Sequence, residues 1–302
     1  MTITTWAKFL ATSMRRAIVL AAAIAAVAPA QAQSSLQPYS GGMMNHGGHS
    51  HGGSGPGQPT LHVSPRWKEC SFQLDAALTQ AAWRQFTGEA AVVTYFKPLT
   101  GAKPMGAGNF DISVVQWKTG IDATDAAWND TFVHPDSTHW LFEGSGLEFP
   151  GLTGRVGLTD RTDVGVFFTK NPAANYGFYG AQLQQNLARE SWGKLSAAGR
   201  LSVVSMFGPD DLAFSVYGVD LLASREFTVW RGRASIAPYA MLSRSLGRSH
   251  EKSAAVDLED ENVFGSTSTV GVEGRLWKAT VAAEYGFARV SSFSLRIGVG
   301  SL

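Results

Sequence analysis

A single cysteine, Cys70, leaves this chain of 302 residues no internal disulfide framework. Charge is sparse too: 16% of residues are charged and the formal net charge is +1, which gives no argument for a nucleic-acid partner. Long hydrophobic runs are missing too. Outside residues 17–28, no segment approaches the roughly twenty apolar residues that a spanning helix needs. From residue 66 onward there is no G-x-S-x-G elbow (the match at Gly48–Gly52 lies in the Gly-rich tail), and Gly101, Gly106 and Gly108 beside Lys103 lack the G-K-[ST] ending of a phosphate loop and read as turn glycines. No catalytic residue stands out, and the chain is not expected to be an enzyme.

Arg15 and Arg16 precede the apolar run 17–28, and Ala28-Pro29-Ala30-Gln31-Ala32-Gln33 comes after it. A basic start, a short apolar core and A-x-A spacing predict a secretory signal peptide over residues 1–32, cut after Ala32 or, alternatively, Ala30. Cys70 lies far from that point, so it is not the lipidated first residue of a lipoprotein. Residues 33–65 are rich in Gly, Ser, His, Pro and Met and are expected to be disordered. This tail holds Met43, Met44, His46, His49 and His51. Imidazole suits copper, nickel and zinc and thioether suits Cu(I), so it is a candidate metal site; it reads equally as a Gly-rich linker with incidental histidines. No other cofactor is indicated. His134, Asp136 and His139 sit in a loop without a recognised ligand spacing. Residues 66–88 carry Leu74, Ala77, Leu78, Ala81, Ala82 and Phe86 at helical spacing. They predict a short amphipathic helix that plugs or underlies the strand-rich region C-terminal to it; a first strand is the alternative.

From residue 89 onward the hydrophobic period is two. Strands are expected over 89–96, 109–117, 147–158, 162–169, 176–187, 194–207, 211–224, 227–245, 264–276, 279–289 and 293–300. Residues 138–142 or the segment after Ser71 would supply a twelfth. Tight turns are expected at 159–161, 208–210, 225–226, 277–278 and 291–292, and long loops at 120–137 and 247–263. Abundant glycine (33 residues), 11% aromatics and strands with one polar face suit a transmembrane barrel. The expected fold is therefore all-β: one antiparallel transmembrane β-barrel of about twelve strands, ten being the next choice, over residues 89–302.

The alternation assigns two faces. Arg155, Asp163, Arg200, Arg231, Arg233, Glu273, Arg275, Glu284 and Arg296 form the expected lumen set, six bases against three acids. Leu152, Val156, Leu201, Val203, Trp230, Ile236, Leu242, Val270, Val272 and Val281 fall on the other face, toward lipid. A buried sandwich core would not hold nine charges, so the polar face must meet water or pair across a lumen. The strand–turn–strand 157–166 and the final alternation Phe293, Leu295, Ile297, Val299 resemble bacterial outer-membrane β-barrel proteins, although the chain closes on Ser301-Leu302 rather than an aromatic. The tail resembles the Met/His-rich leaders of copper-resistance outer-membrane proteins, with the motif once rather than repeated. The resemblance implies an outer-membrane location, with lipid and barrel-assembly machinery as partners. The polar lumen set leads to a passive channel for small solutes, metal-associated where the tail binds an ion. A non-conducting structural or binding barrel is the alternative, and a membrane-embedded lipid hydrolase a third reading.

Overall fold

The computed structural model describes residues 71–122, 124–133, 147–170, 174–192 and 195–301. The elements are β1 (Ser71–Phe72), α1 (Gln80–Thr94), β2 (Phe110–Thr119), α2 (Ala126–Asn129), β3 (Phe132–Val133), β4 (Leu147–Gly157), β5 (Thr162–Lys170), β6 (Gly177–Trp192), β7 (Leu195–Phe207), β8 (Leu212–Ser224), β9 (Phe227–Val229), β10 (Ala234–Glu251), β11 (Glu261–Leu276), β12 (Ala279–Phe287) and β13 (Ser292–Gly300). Ten of the strands form a closed antiparallel barrel. Its order is β2-β4-β5-β6-β7-β8-β10-β11-β12-β13, and β13 returns to pair with β2. Closure leaves no open sheet edge, which is the condition for strands to lie in lipid. The short β9 pairs with the start of β10, and β1 pairs with β3.

The barrel has ten strands, not twelve. The discrepancy starts at residues 89–96, which form the second half of α1 and its exit rather than a first strand. Val92, Val93 and Thr94 favour extended backbone locally. Burial and side-chain hydrogen bonds override that preference: Thr87 and Thr94 donate their hydroxyls to the carbonyls of Trp83 and Ala90 at 2.8 Å. Thr79 caps the helix by accepting from the Ala82 amide. The helix expected over 66–88 is thus displaced toward the C-terminus, and 71–78 are not helical. The expected strand 227–245 is broken by a 3-10 turn at Trp230–Gly232. The segment 138–142 lies outside the described residues.

One end of the barrel carries the turns 158–161 and 277–278, the β9 hairpin and the ends of β6 and β13. The other carries the ends of β2, β5 and β10, with the loop 252–260. It also holds the short turns 208–211 and 288–291, so tight turns are not confined to one end as expected. Residues 71–78 lie at this long-loop end. Phe72 N donates to Asn175 Oδ1 and Leu74 N to Asp211 Oδ2, both at 2.9 Å. From there the chain enters the barrel. In α1, Thr87 Oγ1 lies 2.6 Å from Ser249 Oγ of β10, and Val93 O accepts from Trp117 Nε1 of β2 at 2.7 Å. Every residue from Glu89 to Ala102 is buried. At the short-turn end, Met105 N reaches the Asp163 carboxylate at 3.1 Å and Gly108 N reaches Gly157 O at 2.9 Å, before Phe110 starts the barrel wall.

Candidate functional site

The lumen has an aromatic half and a charged half. Toward the long-loop end, Phe72, Trp83, Phe86, Trp128, Phe132 and Tyr176 pack ring against ring, with centroids 4.7–6.3 Å apart. Trp117, Phe149 and Phe167 continue this core along the wall, and Phe96 of the inserted segment meets Phe167. Buried rings exclude water from this half of the barrel.

Below it, buried charges pair along the inner wall, within one strand or between strands one or two places apart. Arg155 Nη2 lies 3.1 Å from Asp163 Oδ2, and Arg200 Nε 2.5 Å from Asp220 Oδ2. Arg275 and Arg296 share Glu273 Oε1 at 2.9 and 3.2 Å, and Arg296 also reaches Asp111 at 3.2 Å. Tyr239 OH donates to Glu284 at 2.8 Å. The inserted segment joins this network. Thr100 Oγ1 and Gly101 N both donate to Glu273 Oε2 at 3.0 Å, Leu99 N donates to Glu284 at 3.2 Å, and Tyr95 OH donates to Asp220. Lys97 Nζ reaches Val92 O at 3.0 Å and Ser292 Oγ at 3.2 Å.

Seven of the nine expected lumen residues face inward: Arg155, Asp163, Arg200, Glu273, Glu284 and Arg296 are buried, and Arg275 is half-buried. Arg231 and Arg233 do not. They flank Gly232 in the 3-10 turn at the short-turn end and are exposed, because that turn interrupts the two-residue period. Asp111, Asp220, Lys97, Tyr95 and Tyr239 belong to the network and were missed. Asp111 and Asp220 carried a legible signal, since each alternates with outward apolar neighbours in its strand. With them included, Asp111, Asp163, Asp220, Glu273 and Glu284 balance four arginines and Lys97. The expected excess of lumen arginine is not what the barrel holds.

The opposite face is apolar and exposed. Leu152, Ile236, Leu242, Val270, Val272 and Val281 all stand on the outer surface, with Leu242 at 64% and Ile297 at 67% exposure. Each such side chain left in water would forgo about 1.5–3 kcal/mol of burial. A closed antiparallel barrel of even strand number with an apolar exterior is the outer-membrane type, and its outer surface is met by acyl chains. Among the described residues no helix is long and apolar enough to cross a membrane; the crossing is made by strands.

The candidate metal residues Met43, Met44, His46, His49 and His51, and likewise Cys70, His134, Asp136 and His139, lie outside the described residues. His250 is the one histidine among the described residues. Its Nδ1 lies 2.6 Å from Asp260 Oδ1 on the outer surface near the long-loop end. The nearby Ser215 hydroxyl is 3.0 Å from Ser205 Oγ, on the neighbouring strand.

No family model matches the chain, and no curated protein does. Solved structures do. The β domain of the Bordetella autotransporter BrkA is 12% identical, with 64% of this chain and 99% of that chain covered and a TM-score of 0.36. Neisserial surface protein A is 13% identical, covering 64% and 95%, with a TM-score of 0.29. OmpT with loop L8 deleted, an outer membrane protein of Vibrio cholerae, is 10% identical, covering 51% and 54%, with a TM-score of 0.28. The bilayer placement rests on the exterior of this chain's own barrel rather than on these likenesses.

Proposed function

We propose that this protein is a non-conducting outer-membrane barrel, sealed by its own N-terminal segment and presenting its long-loop end and outer rim as a binding surface. The observation that carries this reading is the unbroken burial of Glu89–Ala102 inside the barrel, tied to the wall at Asp220, Glu273 and Glu284. A ten-stranded barrel is narrow enough to be filled by side chains and one inserted segment. A cavity at the short-turn end, between Asp111, Arg155, Glu273 and Arg296, is about 10 Å³, room for one water molecule. The passive channel expected from the sequence would need the inserted segment to leave. The lipid-hydrolase reading would need a serine and a histidine that meet on the lipid-facing side; His134 and His139 lie outside the described residues, and the Ser215 hydroxyl near His250 lies 3.0 Å from Ser205 Oγ.

Planar-bilayer recording tests the proposal. Inserted protein is expected to show no steady conductance above the bare membrane, and removal of residues 80–102 to open one. Steady conductance by the intact protein would overturn it.

A further inference from the structure

On the outer wall near the long-loop end, the outward positions of β10 run Leu242, Arg244, Leu246, Arg248, His250. Their cross-strand neighbours sort by rung. Leu246 stands between Tyr217 of β8 and Phe264 of β11, an apolar and aromatic rung. Phe264 is 75% exposed, as an acyl-facing ring would be. One rung further toward the loops, Arg248 stands between Ser215 and Asn262. On the other side, Arg244 donates to Ser266 Oγ. A groove of about 170 Å³ lies over the Arg248 rung; Ser215, Arg248, His250 and Asn262 line it together with two carboxylates, Asp260 and Glu261, the latter taken up by Gln80 and Arg84. The Asp260 carboxylate shares a hydrogen bond with His250, whereas the Arg248 guanidinium has no hydrogen-bond or ion-pair partner among the described residues. Aromatic rings under a cationic, hydrogen-bonding rung mark the boundary between acyl chains and headgroups.

We infer that this groove binds the phosphate group of an anionic lipid in the leaflet at the long-loop end. Arg248 pairs with the phosphate, a geometry that a guanidinium favours. The Asn262 amide donates to a phosphate oxygen. The Ser215 hydroxyl lies 3.0 Å from Ser205 Oγ, and with Ser205 as donor its own proton is directed to another phosphate oxygen. Tyr217, Leu246 and Phe264 lie along the acyl chains below. The inference rests on the bilayer placement of the barrel.

The test uses the full chain reconstituted in phosphatidylcholine vesicles containing a minor fraction of phosphatidic acid. Alkaline carbonate washing first establishes insertion, and native mass spectrometry after mild extraction then counts retained lipid. The intact protein is expected to retain phosphatidic acid in preference to phosphatidylcholine. Arg248→Ala should lower that preference about tenfold, the usual scale for losing one charge-assisted contact. Arg161→Ala, an exposed cation in the opposite 158–161 turn, should leave it unchanged. Equal retention by Arg248→Ala, an equal loss with Arg161→Ala, or displacement of the lipid by inorganic phosphate at matched concentration would each overturn the inference. Washed protein that stays in the vesicles but shows no lipid preference overturns this site alone. Protein stripped off by carbonate overturns the bilayer placement as well.

Discussion

Asp220 sits in β8 between the outward Val219 and Leu221, and its carboxylate takes both Arg200 Nε and the Tyr95 hydroxyl. Arg200 is fully buried and also donates to Gln182 Oε1 at 2.9 Å. Removing one partner of a buried pair leaves the other charge without compensation, at about 3–5 kcal/mol. Arg200→Ala is therefore expected to lower the unfolding free energy by that amount, read from urea titration of the refolded barrel in micelles. At this scale the sequence was readable where a charge kept step with apolar neighbours, as at Arg155, Asp163 and Arg296. It misled at Arg231 and Arg233, where a three-residue turn resets the period.

The inserted segment is held by close approach as well as by hydrogen bonds. At Gly247 of β10, an added Cβ would come within 2.8 Å of Ala91 Cβ and 2.9 Å of Thr87 O. At Gly218 of β8 it would come within 2.4 Å of the Tyr95 hydroxyl. The wall is thus carved where the helix and its exit pass. Gly247→Leu is expected to dislodge α1 while the strands stay paired, because the added side chain would meet helix backbone. Limited proteolysis should then cut within 80–102, which the wild-type protein should resist. The element itself was only half legible. Helical spacing pointed to a helix near this place, but the β-branched run Val92-Val93-Thr94 reads as a strand to any local rule. What makes it helical is the filled interior around it, information that belongs to the barrel wall and not to the segment.

For the whole molecule, alternation told which side of each strand meets lipid. It did so because one period governs ten strands at once: a slip of one residue in any of them would turn its arginines outward. Strand number and lumen state were less accessible. Both turned on the single stretch 89–102, whose removal from the wall takes the expected strand list to ten and whose side chains are buried inside the barrel. The central claim is that this stretch resides in the lumen, and hydrogen–deuterium exchange of the full chain in lipid vesicles tests it most directly. Amides of 89–102 are predicted to exchange as slowly as those of β8 and β11. Exchange at the rate of an unstructured peptide, with the strands still protected, would contradict it.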